Sequence, residues 1–338
     1  LTFRVTVLGA GSVGLFVGGK LAAAGADVTF VGRPRVLDAL ADTGLRLTDL
    51  DGGDDRVAPG AFHTATEPNS AAIADLVLIT VKSAQTAEAA RQLAEVIRPD
   101  TAVVSLQNGI GHDSTIREIL PSCVVLAGMV MFNVIQHEGG HVHRGTEGGL
   151  AVADDPALRR FAPLFGRAGL ALDRHADLRP VQWAKLLLNL NNAVNALSGR
   201  ALREELSQRD YRRCLALTQA EALTVMQRAR IRPARLTPLP PELMTRLLTV
   251  PDPLFRRVSG RVLAIDPMAR SSMADDLALG RKTEIAWLCG EIVNLGRMVG
   301  VPTPVNARLV ALITAAENGD PRRWSGPELL AELRSAKG

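Results

Sequence analysis

The sequence predicts an α/β protein: a Rossmann-type doubly wound sheet with an antiparallel edge over residues 1–177, followed by an all-α domain over residues 178–338. Three observations carry this. Short β-branched runs alternate with helical stretches from residue 3 onward. A Gly-rich turn joins the first strand to the first helix. Beyond residue 173 the strand signal fades and long amphipathic stretches replace it. The chain has 338 residues, and single cores stop growing at roughly 250 to 300, so two domains are expected.

Residues 3–8, 12–24 and 27–31 read as strand, helix and strand, a βαβ unit. The rhythm resumes with a strand over 76–81, a helix over 84–97 and a strand over 101–106, giving a parallel sheet with helices on both faces. From residue 123 the pattern becomes extended segments over 124–130, 132–136, 141–144 and 149–152. The Glu138-Gly139-Gly140 turn implies antiparallel hairpins closing one edge of the sheet. A boundary falls at 174–180, around Arg179-Pro180. Helices are expected over 182–198, 211–229, 281–299 and 306–318, and the prolines clustered over 231–253 imply a loop-rich connection with one short helix.

Composition narrows the function. Aromatic residues are 4 % of the chain, and the formal charge of +4 comes from scattered basic residues, which argues against a nucleic-acid platform. A mildly basic surface suits an anionic cofactor and a carboxylate substrate. The three cysteines, Cys123, Cys214 and Cys289, lie far apart among apolar residues and read as reduced thiols. Apolar runs such as Leu76-Val77-Leu78-Ile79 are far shorter than the roughly 18 residues of a membrane span. The expected compartment is the cytoplasm and the expected assembly is a homodimer. His137, His141 and His143 do not form a metal site, because no acidic or cysteine cluster joins them.

Gly9-Ala10-Gly11-Ser12-Val13-Gly14, between the first strand and the first helix, fits a dinucleotide. The first Gly permits the turn, the second admits the pyrophosphate and the third lets helix and strand approach. The phosphates would then meet free N–H groups at the helix N-terminus. The second strand runs into Gly32-Arg33-Pro34, where an NAD enzyme would carry an acidic residue. Arg33 favours the 2′-phosphate of NADP, with a solvated loop arginine as the alternative. Lys82 and Asn108 follow later strands, at the carboxyl edge where ligands bind, although loops are polar in any case. Lys185, Asn189 and Asn192 fall at i, i+4 and i+7 of an apolar helix, which suggests a wet cleft or a solvated stripe. Ser272 with Asp275 reads as a substrate contact or a helix cap, and Glu284, before an apolar run, as a functional carboxylate or surface charge.

Taken in order, the Gly-rich turn, Thr80-Val81-Lys82, Gln107-Asn108-Gly109, Lys185-Leu186-x-x-Asn189, Ser271-Ser272-Met273 and Thr283-Glu284-Ile285 resemble the ketopantoate reductase family of the 6-phosphogluconate dehydrogenase-like superfamily. The resemblance covers nearly the whole chain. It implies NADPH-dependent reduction of a 2-oxo acid to a 2-hydroxy acid, with ketopantoate as first candidate. It implies Lys185 as general acid, Asn189 and Ser272 as substrate contacts, Glu284 as organiser of Lys185 and the substrate hydroxyl, and Lys82 and Asn108 between nicotinamide and substrate. Ala193 and Ala269 stand where the family usually has Asn, with Asn192 and Asn195 as nearby replacements. The segment Gly128-Met129-Val130-Met131-Phe132-Asn133 also departs from the commonest family pattern. A related dehydrogenase with another carboxylate substrate, or a silent NADP-binding regulator, are the alternatives.

Overall fold

The computed structural model describes residues 2–258, 268–320 and 322–337. The chain separates into two compact units, Leu1–Leu178 and Arg179–Gly338.

In the first unit twelve strands are β1 (Arg4–Leu8), β2 (Asp27–Val31), β3 (Leu45–Asp49), β4 (Asp54–Val57), β5 (His63–Ala65), β6 (Leu76–Ile79), β7 (Ala102–Ser105), β8 (Val124–Val130), β9 (Val134–Gln136), β10 (His141–Arg144), β11 (Leu150–Ala153) and β12 (Leu172–His175). Eight of them form one sheet in the order β12-β11-β8-β7-β6-β1-β2-β5. Every pairing in it is parallel except β8 with β11. Alternation along each strand loads both faces with apolar residues, as a sheet covered on both sides requires. Val5, Val7, Leu76, Leu78 and Val104 pack on one side, with Leu15, Phe16 and Leu21 of helix α1 (Ser12–Ala23). Val77, Ile79 and Val103 pack on the other, with residues of helices reaching over that face. The helices of this unit after α1 are α2 (Pro34–Thr43), α3 (Thr86–Ala94), α4 (His112–Ile119), α5 (Pro156–Arg159) and α6 (Ala162–Arg167).

The reading of the sheet edge needs correction. The hairpin turning at Glu138-Gly139-Gly140 does not close an edge of the main sheet. It joins β9 to β10 in a second, four-stranded sheet ordered β4-β3-β10-β9, and the antiparallel step at the main edge is made by β11 alone. The reason lies in strands the pattern missed: β3 offers Leu45 and Leu47 to the core and pairs in parallel with β10. His141 Nε2 and His143 Nδ1 each lie 2.8 Å from Thr48 Oγ1, and His137 stacks on His141. Among the described residues no group of three or more His, Cys, Asp or Glu is placed to hold a metal.

Among the described residues of the second unit the regular elements are all helical. Its helices are α7 (Arg179–Asn189), α8 (Asn191–Ser198), α9 (Leu202–Ser207), α10 (Arg209–Arg228), α11 (Pro241–Leu247), α12 (Asp252–Val258), α13 (Ser272–Ala278), α14 (Cys289–Val299), α15 (Pro304–Glu317) and α16 (Gly326–Lys337). The stretch 281–299 is not one helix. A 3-10 turn, Ile285–Trp287, precedes α14, because Leu288 (φ −109°, ψ −92°) breaks helical geometry between them. Likewise 182–198 divides at Leu190, whose dihedrals stay helical (φ −58°, ψ −23°), so α7 and α8 run almost continuously.

Buried polar side chains knit these helices. Arg212 of α10 is fully buried. Its guanidinium donates to the carbonyls of Leu206, Leu248 and Val250, pairs with Asp252 at 2.9 Å and lies 4.0 Å above the Phe255 ring. Glu221 of α10 supplies α15 with its missing cap, accepting the N–H groups of Val305 (3.0 Å) and Asn306 (2.8 Å) and the Asn306 amide (2.7 Å). A carboxylate there also meets the positive end of the helix dipole. Cys123, Cys214 and Cys289 are free thiols. Burial pushes Cys214 and Cys289 up to about 12. No described helix is long and apolar enough to cross a membrane.

Candidate active site

In the first unit the site begins where β1 ends. Gly9 turns the chain with φ +117°, and a side chain there would meet the Thr80 and Val81 backbone at 2.7 Å. Its N–H donates to the Val31 carbonyl (2.9 Å) and its carbonyl accepts from Thr80 Oγ1 (2.7 Å). Gly14 sits so close that an added Cβ would lie 2.1 Å from the Gly9 carbonyl oxygen. Gly11 is different. It precedes α1 in extended geometry (φ −93°, ψ −177°), and a Cβ built on it meets nothing within 4 Å. The first turn of α1 has neither a side-chain cap nor an acidic residue, so its N–H groups face the open space beside Gly11. That space fits a pyrophosphate. Ala10 is buried, and Ser12 and Val13 are half-buried, completing the turn.

Arg33 is exposed at the end of β2, as the N-cap of α2 with Pro34 at its first position. Lys82 is exposed after β6, and Asn108 is half-buried after β7. A buried relay missed by sequence reasoning fixes both loops. Gln107 Nε2 donates to the Val81 carbonyl (2.9 Å) and to Thr86 Oγ1 (2.8 Å), while its Oε1 accepts from Ser105 Oγ (2.9 Å). His112 Nε2 lies 2.7 Å from the Asn108 carbonyl. The available signal was the spacing that puts Thr86 with Ala90 and Leu93, and His112 with Ile116, on the apolar faces of amphipathic helices.

In the second unit Lys185 of α7 is buried, 9 % exposed. Desolvation, with no opposing charge, lowers its pKa from 10.5 to about 8. The helix is anchored next to it by Gln219, whose Nε2 donates to the Leu187 carbonyl (3.0 Å). Asn189 ends α7 and Asn192 lies in the first turn of α8; both are half-buried. Asn195 is fully buried and committed elsewhere: its Nδ2 donates to Glu205 Oε2 and to the Arg200 carbonyl, and its Oδ1 accepts the Ser271 N–H. Of the two asparagines near Ala193, Asn192 is the one whose side chain is not held this way.

The cap of α13 is Ser271, whose Oγ accepts the Ala274 N–H at 3.2 Å. Ser272 therefore occupies the first helical position and is exposed. Glu284 is buried, 8 % exposed, at the head of the 3-10 turn. The residues before it are clamped by Glu317 of α15, which accepts the Thr283 N–H (2.8 Å) and pairs with Lys282 (3.2 Å).

A glycine turn at the head of a parallel sheet, followed by a helical unit with a buried, titratable lysine, is the architecture of a dinucleotide-dependent oxidoreductase. The comparisons with known proteins agree. Residues 5–156 match the family model described as ketopantoate reductase PanE/ApbA, and residues 177–317 match its C-terminal counterpart. This chain belongs to the ketopantoate reductase family, whose members are NADP-dependent oxidoreductases. The 2-dehydropantoate 2-reductase of Halobacterium salinarum is 30 % identical over 93 % of this chain and 99 % of its own length. That of Mycobacterium tuberculosis is 31 % identical over 93 % and 98 %. The crystal structure of a PanE/ApbA family ketopantoate reductase from Ralstonia eutropha JMP134 superposes with a TM-score of 0.79 at 30 % identity, covering 93 % of this chain and 98 % of that one. A D-mandelate dehydrogenase shares the fold at 20 % identity (TM-score 0.74, 93 % and 98 % covered).

Proposed function

We propose that this protein reduces the carbonyl of a 2-oxo acid to a 2-hydroxy acid, with ketopantoate as the leading substrate and NADPH as the reductant. The observation that carries the reading is Lys185, a buried ammonium with its pKa lowered to about 8. A general acid works best when its pKa lies near the working pH.

Bound NADPH supplies the hydride. The Gly9 to Gly14 turn and the α1 N-terminus would hold its pyrophosphate, and the Arg33 guanidinium its 2′-phosphate. As negative charge grows on the substrate oxygen, Lys185 Nζ stabilises it and delivers the proton. Asn189, Asn192 and Ser272 would bind the substrate's polar groups, Glu284 would meet the substrate hydroxyl, and Lys82 and Asn108 would lie beside the nicotinamide. Cytoplasmic placement draws support from the free thiols.

A second reading keeps the reaction and changes the acid. Ala193 and Ala269 are 1 % and 6 % exposed, apolar where the family usually places amides, and a lost hydrogen-bond partner shifts specificity strongly. The test is NADPH oxidation with a panel of 2-oxo acids that includes ketopantoate. The leading reading expects ketopantoate to have the highest kcat/KM. A better substrate elsewhere in the panel establishes the second reading, and no turnover at all leaves a silent NADP-binding protein.

A further inference from the structure

Helix α9 buries a carboxyl group that the reaction above does not use. Glu205 is fully buried, and its Oε2 accepts from Asn195 Nδ2 at 2.7 Å and from Asn191 Nδ2 at 3.4 Å. The Asn195 Nδ2 has a second acceptor, the Arg200 carbonyl at 3.0 Å. An Asn amide has two orientations of nearly equal shape, and its neighbours select between them. Here two acceptors fix the NH₂ side, so Oδ1 faces the other way and accepts the Ser271 N–H at 2.9 Å. Ser271 passes this order on: its Oγ donates to the Asn192 carbonyl (3.3 Å) and caps α13. A backbone bond from the Leu202 N–H to the Ala269 carbonyl (2.8 Å) ties α9 to the same segment.

We propose that Glu205 is a positioning residue for the reaction: through Asn195 it fixes the backbone of Ser271, and so the place of Ser272 at the head of α13. The proposal rests on the reading of Ser272 as a substrate contact.

A plain packing role does not explain the chemistry of this spot. An apolar side chain would fill the same space without a buried polar group, which is costly when incompletely paired. Glu205 Oε1 and Asn191 Oδ1 are both buried acceptors without a partner among the described residues. Burial pushes Glu205 up to about 8, so near pH 7 it is a neutral acid. The proton turns one of two unpaired acceptors into a donor. A neutral acid also has a close mimic in glutamine, which can still accept from Asn195. Conservative rescue is therefore a sharp test.

The variants are Glu205→Met, Glu205→Gln, Ser272→Ala and the double Glu205→Met/Ser272→Ala, measured with saturating NADPH and the best 2-oxo acid of the panel. Ser272→Ala should raise KM about tenfold. Glu205→Met should raise KM by a similar factor, about tenfold, with kcat nearly unchanged and NADPH affinity intact, and Glu205→Gln should return KM to near wild type. In the double variant KM should match Ser272→Ala alone, because residues acting through one contact are not additive. Should Glu205→Met not fold, Asn195→Ser breaks the same link and should give the same KM signature.

The outcomes separate the claims. An unchanged KM in Ser272→Ala removes the substrate contact, and the proposal with it. A raised KM in Ser272→Ala beside an unchanged one in Glu205→Met overturns positioning and leaves the contact standing. Multiplying effects in the double variant, or a failure of Glu205→Gln to rescue, would also overturn it.

Discussion

Replacing Lys185 with methionine should make this protein more stable and far less active at once. The side chains are similar in length, so the change removes charge with little change in packing. Lys185 is 9 % exposed and its pKa falls from 10.5 to about 8. At about 1.4 kcal/mol per unit, burial disfavours the charged form by roughly 3 kcal/mol. The sign follows from proton counts. At pH 7 folded and unfolded chains both carry the proton, and the folded state bears the full penalty. Between about 8 and 10.5 the folded lysine has lost its proton while the unfolded one keeps it, so wild-type stability rises with pH there. Above 10.5 both are neutral. Urea unfolding should therefore find Lys185→Met more stable by up to about 3 kcal/mol at pH 7, with the gain shrinking towards pH 11. Turnover of the best 2-oxo acid should fall by roughly 10² to 10⁴. Equal stability at pH 7, or a gain that ignores pH, would mean the ammonium is hydrated; retained turnover would remove Lys185 from the chemistry.

Five further outcomes follow from the same geometry. The kcat for reduction should decline above about pH 8, as Lys185 loses the proton it donates; a profile flat to pH 9.5 contradicts the acid assignment. NADPH should bind at least about tenfold tighter than NADH, equivalent to roughly 1.4 kcal/mol, and Arg33→Ala should erase the difference in calorimetric titrations. Gly11→Val should fold normally yet bind no NADPH, because its side chain enters open space. Gly14→Ala should instead lower the melting temperature, since its Cβ collides with the Gly9 carbonyl; the reverse pattern would make the turn merely structural. Glu221→Gln should cost about 1 kcal/mol in chemical denaturation by weakening the α15 cap, and no measurable loss would show the cap to be idle.

The main sheet was legible because each of its central strands announces itself locally. Leu76-Val77-Leu78-Ile79 is apolar on both faces, and the Gly9 to Gly14 turn has little else to be between a strand and a helix. The missed strands lack such signals. Asp54-Asp55-Arg56-Val57 carries three charges in four residues, and His63-Thr64-Ala65 is too short for a period to appear. Besides β9, β10 pairs with residues 45–49, a pairing no local window contains. At the site, the pattern around Lys185 suggested a wet cleft or a solvated stripe, whereas the side chain is buried among the leucines and Trp183 of its helix. The commitment of Asn195 did not show, because Glu205 and Ser271 reach it only through the fold. Ser271 as the cap, with Ser272 one position beyond, likewise turned on dihedral angles that Ser-Ser-Met does not encode.

The parallel pairing of β3 with β10 sets a schedule for the chain as it is made. Arg46 pairs with His141, so 95 residues separate the partners, and at about 5 to 20 residues per second the ribosome needs roughly 5 to 20 s to deliver the second. Through that interval β3 can pair with β4 on one side while its other edge offers unpaired backbone groups, the kind of template that draws neighbouring chains into aggregates. Helix α1 packs against β3, β4, β9 and β10 together, so the helix whose head would receive the phosphates gains its full support last. A nascent chain halted before residue 141 should therefore be captured by chaperones and fail to retain dinucleotide, although every glycine of the phosphate turn was synthesised first.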